Sequence, residues 1–127
     1  MKSVWLDSVQ LPSFSPLDRD LDAEAVIIGG GLAGILTAYM LRQQGIDSVL
    51  VEADQICRGI SGNTTAKITS QHGLIYDRLL RERGREQALM YYQANQQALA
   101  KYRELAGTFD CDFESKSAYV YTPDKPE

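Results

Sequence analysis

A glycine-rich turn directly after an apolar run constrains the fold of this chain more than any other stretch. Residues 26–34 read VIIGGGLAG, with four glycines within six positions. Glycine loses more conformational freedom on folding than any other residue, so such a cluster needs a structural reason. It marks either a loose turn or a place where another group must lie closer to the backbone than a Cβ would permit.

The residues around this turn predict a strand, a helix and a second strand. Residues 23–28 are apolar and rich in β-branched side chains, as expected for a strand buried on both faces. Residues 32–44 carry apolar or small side chains at near-helical spacing, and Gly45 stands where a helix would end in the left-handed conformation. Residues 46–52 then predict a strand that ends in a carboxylate. The fold class is therefore α/β.

The rest of the chain is read from weaker signals. Residues 1–22 carry prolines, serines and acids without a period, and they predict an extended leader anchored by Trp5 and Leu11. Residues 53–72 show no period, and irregular stretches of this length inside a domain tend to be functional. The remaining predicted elements are two helices over 74–83 and 85–106, split at Gly84, and a strand over 116–122.

Gly29, Gly31 and Gly34 satisfy the pattern G-x-G-x-x-G in the context that this pattern requires, between a strand and a helix. Gly29 would make the turn, Gly31 would admit a pyrophosphate against the main chain, and Gly34 would let helix and strand pack closely. The first-turn amides, from about Leu32 and Ala33, would be unpaired donors at the positive end of the helix dipole. The pattern predicts a dinucleotide site.

Glu52, at the end of the second predicted strand, completes this fingerprint. A carboxylate there accepts hydrogen bonds from both ribose hydroxyls of an adenosine, and it repels a 2′-phosphate, which disfavours NADP. The alternative is a strand–turn–helix with incidental glycines and a surface Glu52. FAD is favoured over NAD because residues 59–65 supply glycines, hydroxyls and an amide suited to a second side of a pyrophosphate. The alternative for that loop is a flexible, solvated segment.

Two stretches resemble a known family. AEAVIIGGGLAGILTAYMLRQQGIDSVLVEA and GISGNTTAKITSQHG are similar to the amino-terminal end of FAD-dependent oxidoreductases of the D-amino-acid-oxidase and glycine-oxidase type. TTAKITSQHGLIY and the leader SVWLDSVQLPSF resemble the branch whose longer members carry a carboxyl-terminal Rieske domain. The resemblance implies a Rossmann-like FAD domain, with residues 23–127 its amino-terminal portion. It also implies oxidation of an amine or a similar C–H bond by hydride transfer to the flavin.

The resemblance also implies a set of cofactor contacts. Pyrophosphate contacts fall on Gly29, Gly31, Leu32, Ala33 and Gly34, and the ribose acceptor is Glu52. The adenine edge is flanked by Ala53 and Asp54. The second phosphate and ribityl side is lined by Ser61, Asn63, Thr64 and Thr65. The isoalloxazine lies near Ala66, Lys67 and Ile68.

The chain is much shorter than members of that family, so we expect a partial, truncated FAD/NAD(P)-binding fold: a fragment without a substrate domain, inactive alone. Such a fragment is expected to cover its open edge with a second copy of itself, giving a homodimer. The alternative function is a non-catalytic nucleotide-binding or self-associating structural fragment. Catalytic residues are not predicted.

Composition narrows the class of protein further. The net charge of −4 argues against nucleic acid as a partner, because phosphate binding needs a clustered basic face. No apolar run is long enough to span a membrane, and none at the amino terminus has the length of a secretory signal. Cys57 and Cys111 have no metal-binding or redox spacing. We expect a reduced, cytoplasmic protein without a metal site. The small-molecule substrate is expected as a partner of the full-length protein.

Overall fold

The computed structural model describes residues 3–121, which divide into two compact units with the boundary between Thr65 and Ala66. The first unit contains helix α1, strand β1, helix α2, strand β2 and a short 3-10 turn, and the second contains helix α3. Their bounds, in chain order, are α1 Val4–Ser8, β1 Ala25–Ile28, α2 Leu32–Gln43, β2 Ser48–Val51, the 3-10 turn Ser61–Asn63 and α3 Ile75–Ala106.

Strands β1 and β2 pair in parallel, and helix α2 is the crossover between them. The register aligns Ala25 with Ser48 and Ile28 with Val51. A parallel pair needs a crossover of a dozen or more residues, and α2 together with its two short loops supplies it. This is the predicted βαβ unit, and its helix ends within one residue of the predicted bound.

Helix α2 ends just before a glycine in the left-handed conformation. Gly45 has φ +75, and its N–H donates to the carbonyl oxygen of Arg42 at 3.0 Å. The N–H of Ile46 donates to the carbonyl oxygen of Leu41, also at 3.0 Å, so the carbonyls of the last turn are paired. The prediction of a left-handed Gly45 is confirmed.

Burial of β1 differs from the prediction. The strand was expected to be buried on both faces, but its exposure alternates, with Val26 61% and Ile28 87% exposed. Ala25 and Ile27 are half-buried. One face of β1 is therefore open within the described residues, where no large side chain is fully buried.

The leader also differs from the prediction. Residues 4–8 form α1 inside the segment that was expected to be extended, while residues 9–22 contain neither helix nor strand. Ser3 caps α1, because its side chain accepts a hydrogen bond from the Trp5 N–H. Five residues are too few for a helical period to show in the sequence.

Helix α3 forms the second unit and breaks where the sequence predicted. Gly84 has φ +81 and ψ 172, outside the helical region, and it separates the two predicted helices. The predicted strand over 116–122 is wrong for residues 116–121, which form no strand, and Thr122 lies outside the described residues. Across residues 3–121, no helix is long and apolar enough to cross a membrane.

Candidate functional site

The turn after β1 needs glycine at Gly29 because of its backbone conformation. Gly29 has φ +105, which side chains other than glycine rarely adopt, and a Cβ added there would meet nothing within 4 Å. Its N–H donates to the carbonyl oxygen of Val51 at 2.8 Å and so continues the parallel ladder past β1. Conformation, and not lack of space, requires glycine at this position.

Position 34 requires glycine because a side chain would have no space there. A Cβ built on it would overlap the carbonyl oxygen of Gly29 and would lie 3.2 Å from that residue's carbonyl carbon. The first turn of α2 therefore lies directly against the end of β1, the close helix–strand packing expected of the last glycine of the fingerprint.

Gly31 lies at the start of the helix, where a Cβ would meet one atom within 4 Å. Its φ of −77 and ψ of −178 are open to any residue, so its backbone does not demand glycine. A Cβ there would lie 3.2 Å from Ser61 Oγ, which is tighter than ordinary van der Waals contact. A larger side chain would crowd the Ser61 hydroxyl, which accepts from the Leu32 N–H.

The carboxylate of Glu52 hydrogen-bonds to the glycine turn. Its Oε2 accepts from the Gly30 N–H at 2.6 Å, and its Oε1 accepts from the Asp54 N–H at 3.1 Å. These hydrogen bonds, the Gly30 bond foremost, lower the pKa of Glu52 below its ordinary value. Burial opposes the shift, and the Ala53 amide adds a smaller lowering. An exposed carboxylate that stays ionised thus stands beside the turn.

Gly30, which sequence reasoning left without a role, is the residue that joins these parts. It is buried, its N–H binds Glu52, and its carbonyl oxygen accepts from the Cys57 N–H at 2.8 Å. A Cβ at Gly30 would lie 2.7 Å from Ile56 Cγ2 and 3.2 Å from Glu52 Cβ. The extra glycine of GGG was the available signal, because the fingerprint itself does not require it.

The N-terminus of α2 points its first amide at the loop that follows β2. Gly31 is the N-cap and offers no side chain, and the Leu32 N–H donates to Ser61 Oγ at 2.9 Å. The amides at the start of a helix have no partner inside it, so they are free to bind an acceptor, and the helix dipole favours a negative one. Ala33, the next residue, is exposed.

Two other predicted contacts in the first unit, Asn63 and Thr64, hydrogen-bond to residues outside the glycine turn. The Asn63 side-chain amide donates to the Gly59 carbonyl oxygen at 2.7 Å, and the Thr64 carbonyl oxygen accepts from Trp5 Nε1 at 2.8 Å. Ala53 and Thr65 are exposed. The structure thus unites the glycine turn, Glu52 and Ser61, and it leaves these loop residues with other partners or exposed.

The predicted flavin-side residues belong to the second unit. Ala66, Lys67 and Ile68 are exposed, and Ala66 has φ +52. Further along this segment, the Ser70 carbonyl oxygen accepts from the Tyr76 hydroxyl at 2.6 Å, and the Ser70 hydroxyl accepts from the Gln96 amide at 2.8 Å. Residue 70 is therefore fixed against α3.

A parallel βαβ unit with a glycine turn, an open helix start and a carboxylate at the end of the second strand defines a dinucleotide-binding, Rossmann-like class of protein. Within that class, the sequence model of the FAD dependent oxidoreductase family (DAO) matches residues 24–127, and the chain belongs to this family. The family is FAD dependent, so the predicted family and cofactor are confirmed.

Relatives with curated names agree with this assignment. The chain is 42% identical over 123 residues to Bacillus subtilis (strain 168) YhfW, which is named as a Rieske 2Fe-2S iron-sulfur protein; the match covers 95% of this chain and 24% of YhfW. It is 25% identical over 114 residues to the gamma-glutamylputrescine oxidoreductase of Escherichia coli (strain K12), covering 88% of this chain and 27% of that protein.

A third relative matches a shorter stretch. The Baeyer-Villiger monooxygenase peniC of Penicillium patulum is 44% identical over 55 residues, which are 42% of this chain and 9% of that protein. No solved structure matches significantly. The chain spans about a quarter of the length of the first two relatives, 24% and 27% respectively.

Proposed function

We propose that this chain is the FAD-binding portion of an FAD-dependent oxidoreductase that acts on amine or amino-acid-like substrates. The observation that carries the proposal is the 2.6 Å hydrogen bond between the Gly30 N–H and Glu52 Oε2. It holds a carboxylate that can bind an adenosine ribose beside a turn that can admit a pyrophosphate. The dinucleotide fingerprint is defined by this combination.

The proposed contacts of the adenosine half are supported by this geometry for the glycine turn and Glu52, and by the family resemblance for Ala53 and Asp54. The pyrophosphate lies over Gly29, Gly31 and Gly34, near the amides of Leu32 and Ala33. The ribose hydroxyls donate to Glu52, which is ionised at neutral pH and whose pKa lies below its ordinary value. Ala53 and Asp54 flank the adenine. Glycine at position 31 suits a pyrophosphate against the main chain, because a side chain there would crowd the Ser61 hydroxyl.

The proposed contacts of the riboflavin half rest on the family resemblance. Residues of the loop after Glu52 take the second phosphate and the ribityl chain, and those that follow approach the isoalloxazine. In chain order these are Ser61, Asn63, Thr64, Thr65, Ala66, Lys67 and Ile68. Bound flavin supplies the hydride-accepting chemistry, and the protein supplies orientation and electrostatics.

The substrate class is proposed from the family and from one relative. The gamma-glutamylputrescine oxidoreductase is named for an amine substrate, and amine-like substrates are the expectation drawn from the family resemblance. Oxidation of such substrates is therefore proposed for a protein of the relatives' length. A cytoplasmic location is proposed as well, supported by Cys57 and Cys111, which are both free thiols.

Self-association of the chain is a separate proposal. Val26 and Ile28 present a largely exposed apolar face of β1, and a second copy is one surface that would cover it. Sedimentation equilibrium is expected to give twice the mass of one chain. A monomer at all accessible concentrations would refute the dimer and leave the FAD proposal untouched.

Absorbance of the purified chain tests the cofactor directly. We expect FAD added in excess and then removed by gel filtration to leave the visible flavin band with the protein. Parallel incubations with NAD and ADP serve as controls for general nucleotide binding. Protein that takes up NAD or ADP but not FAD would favour a non-catalytic nucleotide-binding module, and protein that takes up none of the three would favour a structural fragment.

A further inference from the structure

We propose that α1 is a positioning element for the loop at the second phosphate side of the FAD site, and that Trp5 and Ser3 are the residues through which it acts. We call the contacts of Ser3, Trp5 and Leu6 with Gly62 and Thr64 the leader clasp. The proposal rests on the proposed FAD site and adds positioning residues to it from the leader of the chain.

Two hydrogen bonds cross from the leader to the loop. The Ser3 hydroxyl donates to the carbonyl oxygen of Gly62, and Trp5 Nε1 donates to the carbonyl oxygen of Thr64 at 2.8 Å. Each joins residues 59 positions apart in the chain. Ser3 also accepts from the Trp5 N–H at 3.2 Å, so the two donors are fixed relative to one another by the cap of α1.

The apolar part of the clasp depends on Gly62. Gly62 is buried, and a Cβ built on it would lie 3.1 Å from both methyl carbons of Leu6 and 2.6 Å from the carbonyl oxygen of Cys57. The leader therefore packs directly on the backbone of the 3-10 turn. This contact leaves no room for a side chain at residue 62.

Ser61 lies between the clasp and the helix start. Its backbone precedes Gly62, which the leader holds, and its hydroxyl accepts from the Leu32 N–H at 2.9 Å. Asn63 adds local hydrogen bonds to the carbonyl oxygens of Ile60 and Gly59. Fixing a loop before a ligand arrives lowers the entropy cost of binding, so the clasp pre-forms the side of the site that Ser61 and Thr64 line.

Trp5→Phe is the sharpest test, because it retains an aromatic ring and removes the Nε1–H donor. We expect it to raise the Kd for FAD by roughly 3- to 10-fold, the loss of one hydrogen bond. The Kd for AMP, which lacks the second phosphate and the ribityl chain, is expected to stay unchanged. A loss of general stability would move both constants. Phe14→Ala, at a 72% exposed aromatic residue of the same leader, is the matched control and should change neither.

A second readout does not need FAD. Arg58 is exposed and lies just before this turn, so trypsin cleavage after Arg58 reports how firmly the loop is held. Trp5→Phe and Ser3→Ala should both be cleaved several-fold faster than wild type, and Phe14→Ala at the wild-type rate. If wild type binds no FAD, the proposed function fails while cleavage still tests the clasp. Unchanged cleavage in both variants, or FAD and AMP constants that are equally unchanged or equally raised, would overturn the clasp.

Discussion

The Gly30 N–H and the Glu52 carboxylate are 2.6 Å apart, N to Oε2, although 22 positions separate them in the chain. The bond links the glycine turn after β1 to the end of β2, the two places where a dinucleotide-binding unit holds its ligand. Gly30 can approach this closely because it has no Cβ, which would otherwise lie 3.2 Å from Glu52 Cβ. The proposed ribose acceptor is thus positioned by the same turn that we propose admits the pyrophosphate.

The lowered pKa of Glu52 predicts how stability depends on pH. A carboxyl group whose pKa is depressed by folding stabilises the folded state above its unfolded pKa, and that contribution is lost as the pH falls through the folded pKa. We expect the Glu52 carboxyl, followed by NMR, to titrate below the ordinary range of glutamate. Glu52→Gln should remove that part of the acid dependence of the melting temperature. A Glu52 titration at or above the ordinary value would contradict the role given to the Gly30 and Asp54 amides.

Gly34→Ala tests the packing of α2 on β1. Within a helix, alanine is favoured over glycine by about 1 kcal/mol, so propensity alone predicts a more stable protein. The overlap of the new Cβ with the Gly29 carbonyl oxygen reverses that sign, and we expect a loss of roughly 1–3 kcal/mol or more in the free energy of unfolding. Urea denaturation measures it.

Gly107→Ala is the matched control for Gly34→Ala. A Cβ at Gly107 would lie 3.4 Å from the Glu104 carbonyl oxygen, close to ordinary contact distance, and its backbone is in the right-handed helical region. Its effect should stay within about 0.5 kcal/mol. Equal effects of the two variants would show that the steric argument at Gly34 is wrong.

Ser61→Ala tests the pairing of the helix start. The change removes the acceptor of the Leu32 N–H, and loss of such a cap typically costs about 0.5–2 kcal/mol. Because the Leu32 amide is exposed and water can replace the hydroxyl, we expect the lower part of that range in urea denaturation. Ser13→Ala, at an exposed residue of the leader, should have no measurable effect. A Ser61→Ala protein as stable as wild type would mean that this hydrogen bond contributes nothing.

Gly84→Ala tests the break in α3. The φ of +81 and ψ of 172 at this residue belong to a region that is essentially restricted to glycine, where other residues cost about 1–3 kcal/mol. We expect a loss of that size in thermal or urea unfolding. Gln87→Ala, at an exposed position of the same helix, should fall within about 0.5 kcal/mol of wild type. Increased stability of Gly84→Ala would mean that the two helical segments join without cost.

The sequence predicted the βαβ unit and the break at Gly84 because glycine placement and apolar periodicity are local signals. It did not predict α1, whose contacts reach residues 62 and 64 from the leader, 59 positions away. The alternation over 116–121 failed as a strand signal, since a strand needs a neighbour to pair with. The role of Gly30 was missed because it depends on where the Glu52 side chain turns.

We propose that the FAD pyrophosphate lies against Gly31, where no Cβ blocks it. Equilibrium titration with FAD of wild type and of Gly31→Val tests it most directly, with far-UV circular dichroism to confirm that both are folded. The backbone of Gly31 is open to valine, so backbone strain would not explain a loss of binding. We predict that wild type binds one FAD per chain and that Gly31→Val binds none at concentrations that saturate wild type. Absence of FAD binding by folded wild type, or equal affinity in the two proteins, would contradict the claim.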